Sequence, residues 1–274
     1  MKKIVSVIVA FAMLTFVLAG CAAPAAAAPA SKLDQIKSAG KIRVGMSADF
    51  PPYEFHDVTG GKDEIAGFDV SLIKEIASDI GVEVEIIDQD FDGLIAALQA
   101  NSCDVVISGM NATEERKTAV DFSDEYFFAD QAFLVRLEDE GKYDAIESVN
   151  GQVVGAQLGT IQETIANEQF QPQGAEIFCI ASTQNLVLEL KSKNVVGVIL
   201  DRPIAEAFVS QNPDLTISKM PIVGDDSGFA IAINKGNSDL VESINKTLKR
   251  LKDEDKIDAF FTAAVELAAQ QTAE

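Results

Sequence analysis

The stretch Asp104-Val105-Val106-Ile107-Ser108-Gly109-Met110-Asn111-Ala112-Thr113-Glu114-Glu115-Arg116 joins the end of a strand to the start of a helix. Its apolar run stops at Ser108-Gly109, and Thr113 is a residue type that favours the N-cap of a helix. Arg116 would then lie one turn inside that helix. Free backbone N–H groups at a helix start attract anions, and a guanidinium group grips a carboxylate with two parallel hydrogen bonds. This stretch therefore predicts a receptor for a small carboxylate.

The N-terminus has the features of a secretory signal peptide, which we predict for residues 1–20. Lys2 and Lys3 precede an apolar run at 4–17, which is short for a membrane span. The next residues, Leu18-Ala19-Gly20-Cys21, resemble the lipobox of bacterial lipoproteins. The resemblance implies lipidation of the Cys21 thiol and cleavage before it. Ordinary cleavage at one of the alanines after Cys21 is the alternative.

The composition after the signal peptide indicates a tethered, acidic domain. Residues 22–30 are nearly all alanine and proline, so residues 21–31 are predicted to form a tether that holds the domain off a membrane surface. The formal net charge of the chain is −21. Nucleic-acid phosphates require basic surface, so no nucleic-acid partner is expected.

Strand and helix patterns alternate along the rest of the chain, which predicts parallel sheets covered by helices. Strands are expected at 41–46, 82–86 and 104–108. Helices are expected at 70–80, where Gly67-Phe68-Asp69 leads into the helix, and at 92–100. Beyond Tyr126 the pattern restarts, with strands at 131–137, 153–156, 176–180, 195–200 and 215–219 and helices at 160–167, 183–192 and 202–211. A strand at 229–233 and helices at 238–251 and 255–268 complete the chain.

Several motifs follow one another in a specific order. They are Phe50-Pro51-Pro52-Tyr53-Glu54-Phe55, Gly67-Phe68-Asp69-Val70, Phe91-Asp92-Gly93-Leu94-Ile95, the stretch that ends at Arg116, Val120-Asp121-Phe122-Ser123-Asp124, Gly159-Thr160, and Val198-Ile199-Leu200-Asp201. In this order they resemble the bacterial extracellular solute-binding proteins of family 3, the polar amino-acid-binding lipoproteins of ABC importers, over about residues 41–261.

The resemblance implies an α/β, two-lobed periplasmic-binding-protein-like fold of type II. Each lobe would be a mostly parallel sheet flanked by helices, and two hinge strands would join the lobes. We expect lobe 1 at 32–126 and 225–274, and lobe 2 at 127–224. Cys103 and Cys179 then fall in different lobes, where a disulfide would clamp the hinge, but two small buried thiols are the favoured interpretation.

An amino acid is a zwitterion, so its site must neutralise two opposite charges once water leaves. Arg116 suits the α-carboxylate, and Thr160 adds donors from the opposite lobe. Asp201 directly follows an apolar strand, at the end where open α/β sheets bind ligands. By the resemblance, Asp201 takes the α-ammonium group, together with the Ser108 carbonyl and the side chain of Asn111, which replaces the hydroxyl residue usual at this position.

Both charged residues have a plainer alternative. Arg116 could be a surface arginine that pairs with Glu115 or Asp121. Asp201 could cap the helix that begins at Arg202-Pro203. The ligand roles are favoured because the two residues occur at matching places in separate lobes.

Aromatic and polar residues complete the expected site. Phe50 and Phe91 would form walls for the ligand side chain, or else be core phenylalanines. The ligand-binding set is Phe50, Phe91, Ser108, Gly109, Met110, Asn111, Arg116, Gln157, Thr160, Ile161 and Asp201. A side-chain pocket would add Ser47, Asp49 and Gln162. Ser47 stands where binders of basic amino acids often carry an acid, whereas Asp49 is acidic, so basic and neutral polar ligands both stay open.

The implied function is delivery of a polar L-amino acid to an ABC permease by hinge closure. The protein would be a monomer anchored to the outer face of the cell membrane, or a periplasmic one in a host with an outer membrane. No metal site or cofactor is expected, because no Cys or His pair has ligand spacing and His56, the only histidine, is predicted to be solvated. The alternatives are an enzyme resembling the cyclohexadienyl dehydratases, with Glu54 or Glu163 as general acid, and a sensing module for a membrane receptor.

Overall fold

The computed structural model describes residues 30–224 and 226–271. The signal peptide predicted for 1–20, the predicted lipidation site Cys21 and most of the predicted tether lie outside the described residues. In the described part of the chain, none of the helices combines the length and the apolar character that a membrane span requires.

The first lobe is built from elements at both ends of the described chain. The early elements are α1 (Lys32–Ala39), β1 (Lys41–Met46), β2 (Asp49–Phe50), β3 (Glu54–Asp57), β4 (Glu64–Ala66), α2 (Phe68–Ile80), β5 (Glu83–Asp88), α3 (Leu94–Gln99), β6 (Val105–Val106), α4 (Glu114–Ala119) and β7 (Asp121–Phe122). The late elements are β13 (Ala232–Ile233), α8 (Ser238–Asp253) and α9 (Lys256–Gln270). Its main sheet has the order β5-β1-β6-β13-β7, and β2, β3 and β4 form a small separate sheet.

The second lobe is built from the residues between β7 and β13. Its elements are β8 (Gln131–Arg136), β9 (Val153–Gln157), α5 (Ile161–Ile165), β10 (Glu176–Ile180), α6 (Thr183–Lys191), β11 (Gly197–Asp201), α7 (Arg202–Gln211) and β12 (Leu215–Ile217). Its sheet has the order β10-β9-β11-β8-β12.

Each main sheet contains one reversed strand. In the first lobe β13 runs antiparallel to both β6 and β7, while β5, β1 and β6 are parallel. In the second lobe β8 runs antiparallel to both β11 and β12, while β10, β9 and β11 are parallel. The reversed strands are those in which the chain enters the second lobe and returns to the first. This arrangement confirms the predicted two-lobed fold with mostly parallel sheets.

The two segments that connect the lobes lie side by side. The Tyr126 backbone N–H donates to the Phe229 carbonyl at 2.8 Å, and the Phe229 N–H donates to the Phe127 carbonyl at 2.8 Å. Aromatic packing supports this bridge, since the ring of Tyr53 lies 5.8 Å from that of Phe127 and 5.1 Å from that of Phe229. The predicted hinge is therefore a short antiparallel bridge. The lobe boundaries at 126–127 and 224–225 stay a prediction, and Asp225 lies outside the described residues.

Helix boundaries follow local chemistry. Ser31, the last residue of the predicted tether, caps α1 by accepting a hydrogen bond from the Asp34 N–H. Helix α2 ends at Gly81, which adopts a left-handed conformation with φ +87°. Helix α8 buries one stripe of side chains with helical spacing, formed by Leu240, Ile244, Thr247, Leu248 and Leu251.

Some regular elements are shorter than predicted, and one sheet was not predicted. Of the strand expected at 104–108, only residues 105–106 form a strand. Of the strand expected at 229–233, only residues 232–233 do so. The helix expected at 160–167 is α5 followed by a π-helical turn at Ala166–Phe170. The small β2–β4 sheet arises around the Phe50–Phe55 motif, whose prolines gave no strand signal.

Candidate functional site

The strand ends of both lobes carry the polar residues that the sequence singled out. Ser47 follows β1, and Ser108 lies just beyond β6. In the second lobe, Gln157 ends β9 and Asp201 ends β11. All four are buried, with exposed fractions of 5% or less. They lie at the carboxyl ends of parallel strands, which is where open α/β sheets bind ligands.

A small space of about 190 Å³ lies between the two lobes. It is lined by Phe50, Phe91, Gly109, Asn111, Arg116, Thr160, Ile161, Gln162 and Asp201. Nine residues of the predicted site are thus brought together. Ser108, Met110, Gln157, Ser47 and Asp49 are not among the lining residues.

Arg116 spans the two lobes. Thr113 caps α4 as predicted, because its side chain accepts a hydrogen bond from the Arg116 N–H. The guanidinium donates from Nη1 to the Asn111 carbonyl at 2.9 Å and from Nη2 to the Gly159 carbonyl of the second lobe at 3.0 Å. Its central carbon also lies 5.3 Å from the centre of the Phe91 ring. The side chain is therefore held at the edge of the space by both lobes.

Asp201 is fully buried and is held by two amides. Its Oδ1 accepts from Gln131 Nε2 at 2.6 Å and from Gln162 Nε2 at 3.1 Å. Burial raises the pKa of Asp201 to about 7, although both hydrogen bonds lower it. The side chain makes no capping hydrogen bond to α7. This geometry goes against the alternative in which Asp201 only caps that helix.

Sequence reasoning missed Gln131. It lies directly opposite Asp201 in the antiparallel pairing of β8 with β11. Gln162 Nε2 also donates to Gln131 Oε1 at 2.9 Å, so the two amides and the carboxylate form one network. The contact between Gln131 and Asp201 depends on the register between β8 and β11, which no sequence motif indicates.

Of residues 108–111, Gly109 and Asn111 line the space between the lobes, and the other two do not. Gly109 has φ +51°, a left-handed conformation in which a side chain would be strained, and an added Cβ would lie 3.4 Å from the Phe50 ring. The Asn111 side chain donates from Nδ2 to the Ser227 carbonyl at 2.8 Å. Met110 is 1% exposed and packs in the apolar cluster around Leu94, so its side chain is a core residue.

Ser47, Asp49 and Gln157 form a contact between the lobes. Asp49 Oδ2 accepts from the Thr183 N–H, at the start of α6, at 2.7 Å. Its Oδ1 accepts from Ser47 Oγ at 3.1 Å and from Gln157 Nε2 at 3.4 Å. Gln157 also donates to the Ala181 carbonyl at 2.8 Å. The expected side-chain pocket residues Ser47 and Asp49 are therefore engaged with other protein groups.

The predicted helix start at Thr160 is confirmed. The Thr160 side chain accepts from the Glu163 N–H at 3.4 Å and donates to the Gln157 carbonyl at 2.7 Å. The Glu163 carboxylate turns back and accepts from the Gly159 N–H at 2.7 Å. These hydrogen bonds hold the turn that faces Arg116.

His56 is exposed to solvent, as predicted from the sequence, but its ring also contacts two carboxylates. Its ring nitrogens lie 2.7 Å from Asp63 Oδ1 and 3.2 Å from Asp88 Oδ2. The hydrogen bond to Asp63, followed by that to Asp88, raises the pKa of His56 despite partial burial. The contact with Asp88 was not predicted, because Asp88 comes from a distant part of the sequence.

The described residues contain neither a disulfide between Cys103 and Cys179 nor a metal-binding cluster. Cys103 and Cys179 are free thiols, which agrees with the favoured interpretation, but only Cys103 is fully buried. Among residues 30–224 and 226–271, no group of three His, Cys, Asp or Glu side chains has the geometry to hold a metal ion.

Comparison with known proteins identifies the family. The model of bacterial extracellular solute-binding proteins, family 3, matches residues 42–263. The arginine-binding extracellular protein ArtP of Bacillus subtilis (strain 168) is 35% identical over 259 residues, covering 94% of this chain and 96% of that protein. A probable histidine-binding protein of Campylobacter jejuni is 31% identical over 227 residues, covering 82% of this chain and 83% of that protein.

A solved structure agrees with these relatives. The amino acid ABC transporter substrate-binding protein AbpA from Streptococcus pneumoniae, bound to L-arginine, superposes with a TM-score of 0.83 at 35% identity. The match covers 86% of this chain and 99% of that chain. Given the family match over residues 42–263 and this shared two-lobed fold, the chain belongs to the bacterial extracellular solute-binding proteins of family 3.

Proposed function

We propose that this protein binds L-arginine between its lobes and presents it to an ABC permease. Members of its family are the extracytoplasmic binding components of amino-acid ABC importers, and this chain is one of them. The observation that carries the proposed site is that Arg116 and Asp201, two residues of opposite charge from separate lobes, line the same small space.

The two charges suit the two ends of an amino acid. In the proposal, Arg116 binds the α-carboxylate and Asp201 binds the α-ammonium group. Hydrogen bonds to charged groups contribute on the order of 1.5–3 kcal/mol each, and burying an ion without a partner costs several kcal/mol. A solute that carries both charges is therefore preferred over one that carries a single charge.

Closure of the lobes follows from the same arrangement. The ligand contacts both lobes only in the closed form, so it stabilises that form by its differential affinity. The permease then has a distinct shape to recognise. Support comes from the bonds that already cross the interface in this structure, including the one from Arg116 to Gly159.

Arginine is the proposed ligand for three reasons. Phe50 and Phe91 supply aromatic rings beside the space, on which a planar guanidinium group can stack. The formal charge of −21 favours the approach of a cation. The Bacillus relative is named for arginine binding, and the Streptococcus structure contains arginine.

We further propose that the protein is a binder and not an enzyme. Its relatives are binding proteins. The two acids considered as general acids are both engaged elsewhere: Glu54 accepts a hydrogen bond from Ser108, and Glu163 accepts one from Gly159. A lipid on Cys21, removal of residues 1–20, a tether at 21–31 and a monomeric state complete the proposal.

Calorimetry with purified protein tests the ligand. The protein should be unfolded, dialysed to remove bound solute, refolded and titrated with each of the twenty amino acids. We expect arginine to bind with a Kd of about 1 μM or below, and histidine and glutamine to bind at least about tenfold more weakly. If a neutral amino acid bound most tightly, arginine would be refuted as the ligand, but the proposed site would stand. Binding of no amino acid would refute the proposed site.

A further inference from the structure

Two buried carboxyl groups lie directly behind the loop at Ser108 and Gly109, outside the proposed ligand contacts. Glu54 belongs to β3 and Asp69 to the first turn of α2, and both are 0% exposed. They come from two of the motifs noted in the sequence, and the proposed ligand chemistry uses neither of them. Groups of this kind are retained at such depth only when hydrogen bonds compensate their burial.

Each carboxyl group holds one residue of the loop. The Ser108 hydroxyl donates to Glu54 Oε1 at 2.6 Å. The Gly109 N–H donates to Asp69 Oδ2 at 2.8 Å, and the Tyr126 hydroxyl donates to the same oxygen at 2.8 Å. The loop is therefore held from two different elements of the first lobe.

The remaining carboxyl oxygens indicate a shared proton. Within the described residues, Glu54 Oε2 and Asp69 Oδ1 are buried and have no hydrogen-bond partner. Two carboxyl oxygens can satisfy each other only when one of them carries a proton.

Of the two groups, Glu54 is the more readily protonated. Burial, followed by the charge of Asp69, raises the pKa of Glu54 well above its usual range, and Asp49 of β2 adds to the shift. Burial raises the pKa of Asp69 only to about 6, because hydrogen bonds from Gly109, Tyr126 and Glu54 lower it. We therefore expect a proton to be shared between the two groups, with Glu54 as the more readily protonated partner.

We propose that Glu54 and Asp69 are positioning residues that fix the Ser108–Gly109 loop in the conformation the ligand needs. Gly109 adopts φ +51°, and glycine alone does not hold such a conformation because its backbone has the widest freedom of any residue. Gly109 and Asn111 both line the space between the lobes. Fixing the loop before the ligand arrives removes an ordering cost from binding, and this inference rests on the proposed function.

Three variants separate positioning from general stability. Glu54→Met removes both hydrogen bonds at similar length, and we expect it to weaken arginine binding at least about tenfold. Glu54→Gln keeps an acceptor for Ser108 and a donor for Asp69, so its affinity should stay within about threefold of wild type. Thr247→Val is the control, since Thr247 is a buried polar residue of the same lobe that bonds to Asp79. Its affinity should be unchanged.

Two further measurements address the mechanism. Ser108→Ala removes the same hydrogen bond from the loop side, so its effect and that of Glu54→Met should not add in the double variant. Ser108→Ala also replaces Glu54→Met if the latter does not fold. The infrared difference spectrum of wild type minus Glu54→Gln at pH 7 should contain the stretch of a protonated carboxyl group.

Each result has a defined meaning. Wild-type affinity in Glu54→Met or Ser108→Ala would refute positioning, as would a Glu54→Gln affinity as weak as that of Glu54→Met. An infrared difference with carboxylate bands alone would refute the shared proton. A wild-type protein that binds no amino acid would refute the proposed function and this inference with it, whereas wild-type and Glu54→Met proteins that bind equally would refute the inference alone.

Discussion

Asp49 of the first lobe and Thr183 of the second are joined by a 2.7 Å hydrogen bond from the Thr183 backbone N–H to Asp49 Oδ2. Thr183 is the first residue of α6, whose opening N–H groups have no partner within the helix. A carboxylate at a helix start is favoured by the helix dipole. The bond joins two protein groups, so it stabilises the closed arrangement of the lobes whatever the side chain of the ligand.

The Asp49–Thr183 bond predicts a uniform effect on ligand affinity. Asp49→Ala should weaken arginine, lysine and histidine binding by the same factor, about tenfold or more, because it favours the open form. Calorimetry gives the affinities, and small-angle scattering of the ligand-free variant should show a larger radius of gyration. Asp63→Ala, which removes an exposed carboxylate of the same lobe, serves as the control. A loss confined to arginine and lysine would instead place Asp49 in contact with the ligand side chain.

Gly159 offers a second test of closure. A Cβ added there would lie 2.8 Å from the Asp92 Cβ and 2.9 Å from the Asp92 Cα, in the opposite lobe. Gly159→Ala should therefore hinder closure and weaken binding at least about tenfold. Gly141→Ala is a matched control, because both glycines have φ +77° and Gly141 has open space around it. Wild-type affinity in Gly159→Ala would show that the contact with Asp92 does not oppose closure, and equal weakening in both variants would implicate backbone strain instead.

The sequence predicted the parts of the site that depend on neighbouring residues. Thr113 and Thr160 cap their helices as expected, because N-capping involves residues only three apart. Arg116 and Asp201 line one space because each follows a strand of its own lobe. The alternation of strands and helices likewise predicted two parallel sheets, but it did not predict the one reversed strand that each contains.

The sequence did not predict contacts that depend on register or on closure. Gln131 and Asp201 are 70 positions apart and meet only because of the register in which β8 and β11 pair. Asp49 meets Thr183 only because the lobes touch. The same limit applies to His56, whose partner Asp88 lies 32 positions away. Side-chain pairs of this kind are fixed by tertiary packing, for which a single sequence carries no periodic signal.

Arg116 should be essential for binding and nearly neutral for folding. Arg116→Ala leaves the ligand carboxylate without a partner, so affinity should fall more than about 100-fold while the Tm of the ligand-free protein changes by less than about 3 °C. Arg116→Lys should also bind poorly, because an ammonium group lacks the planar fork. Arg250→Ala is the control: it removes an arginine that pairs with Glu75 on the same lobe, and its affinity should match wild type. Loss of folding in Arg116→Ala would make Arg116 a structural residue.

Ligand affinity should depend on the protonation of Asp201. Burial raises the pKa of Asp201 to about 7, and an ammonium ligand binds only the ionised form. The Kd for arginine should therefore increase as pH falls below 7, by at most about tenfold per pH unit. Calorimetry between pH 5 and pH 8, with proton uptake measured in buffers of different ionisation enthalpy, checks this. A Kd that stays constant from pH 8 to pH 5 would contradict the assignment of Asp201 to the ammonium group.

Asp201→Asn should abolish binding and yet stabilise the ligand-free protein at high pH. The folded-state pKa is raised from 3.8 to about 7, so the cost of burying the charge is absent below pH 3.8 and complete above pH 7. The variant should therefore gain up to about 4 kcal/mol in free energy of unfolding at pH 8 and almost nothing at pH 4.

Asp139→Asn provides the control of opposite sign. Burial raises the pKa of Asp139, but hydrogen bonds from Lys142 and Arg136 outweigh it and lower the pKa below its usual value. An ionised Asp139 therefore stabilises the fold above that value, and this contribution is lost as pH falls through the lowered pKa. Asp139→Asn should destabilise the protein at pH 8, as measured by urea unfolding, while Asp201→Asn stabilises it. Destabilisation of both variants at pH 8 would mean that the Asp201 carboxylate is a structural group, held by Gln131 and Gln162 for the fold and not for a ligand.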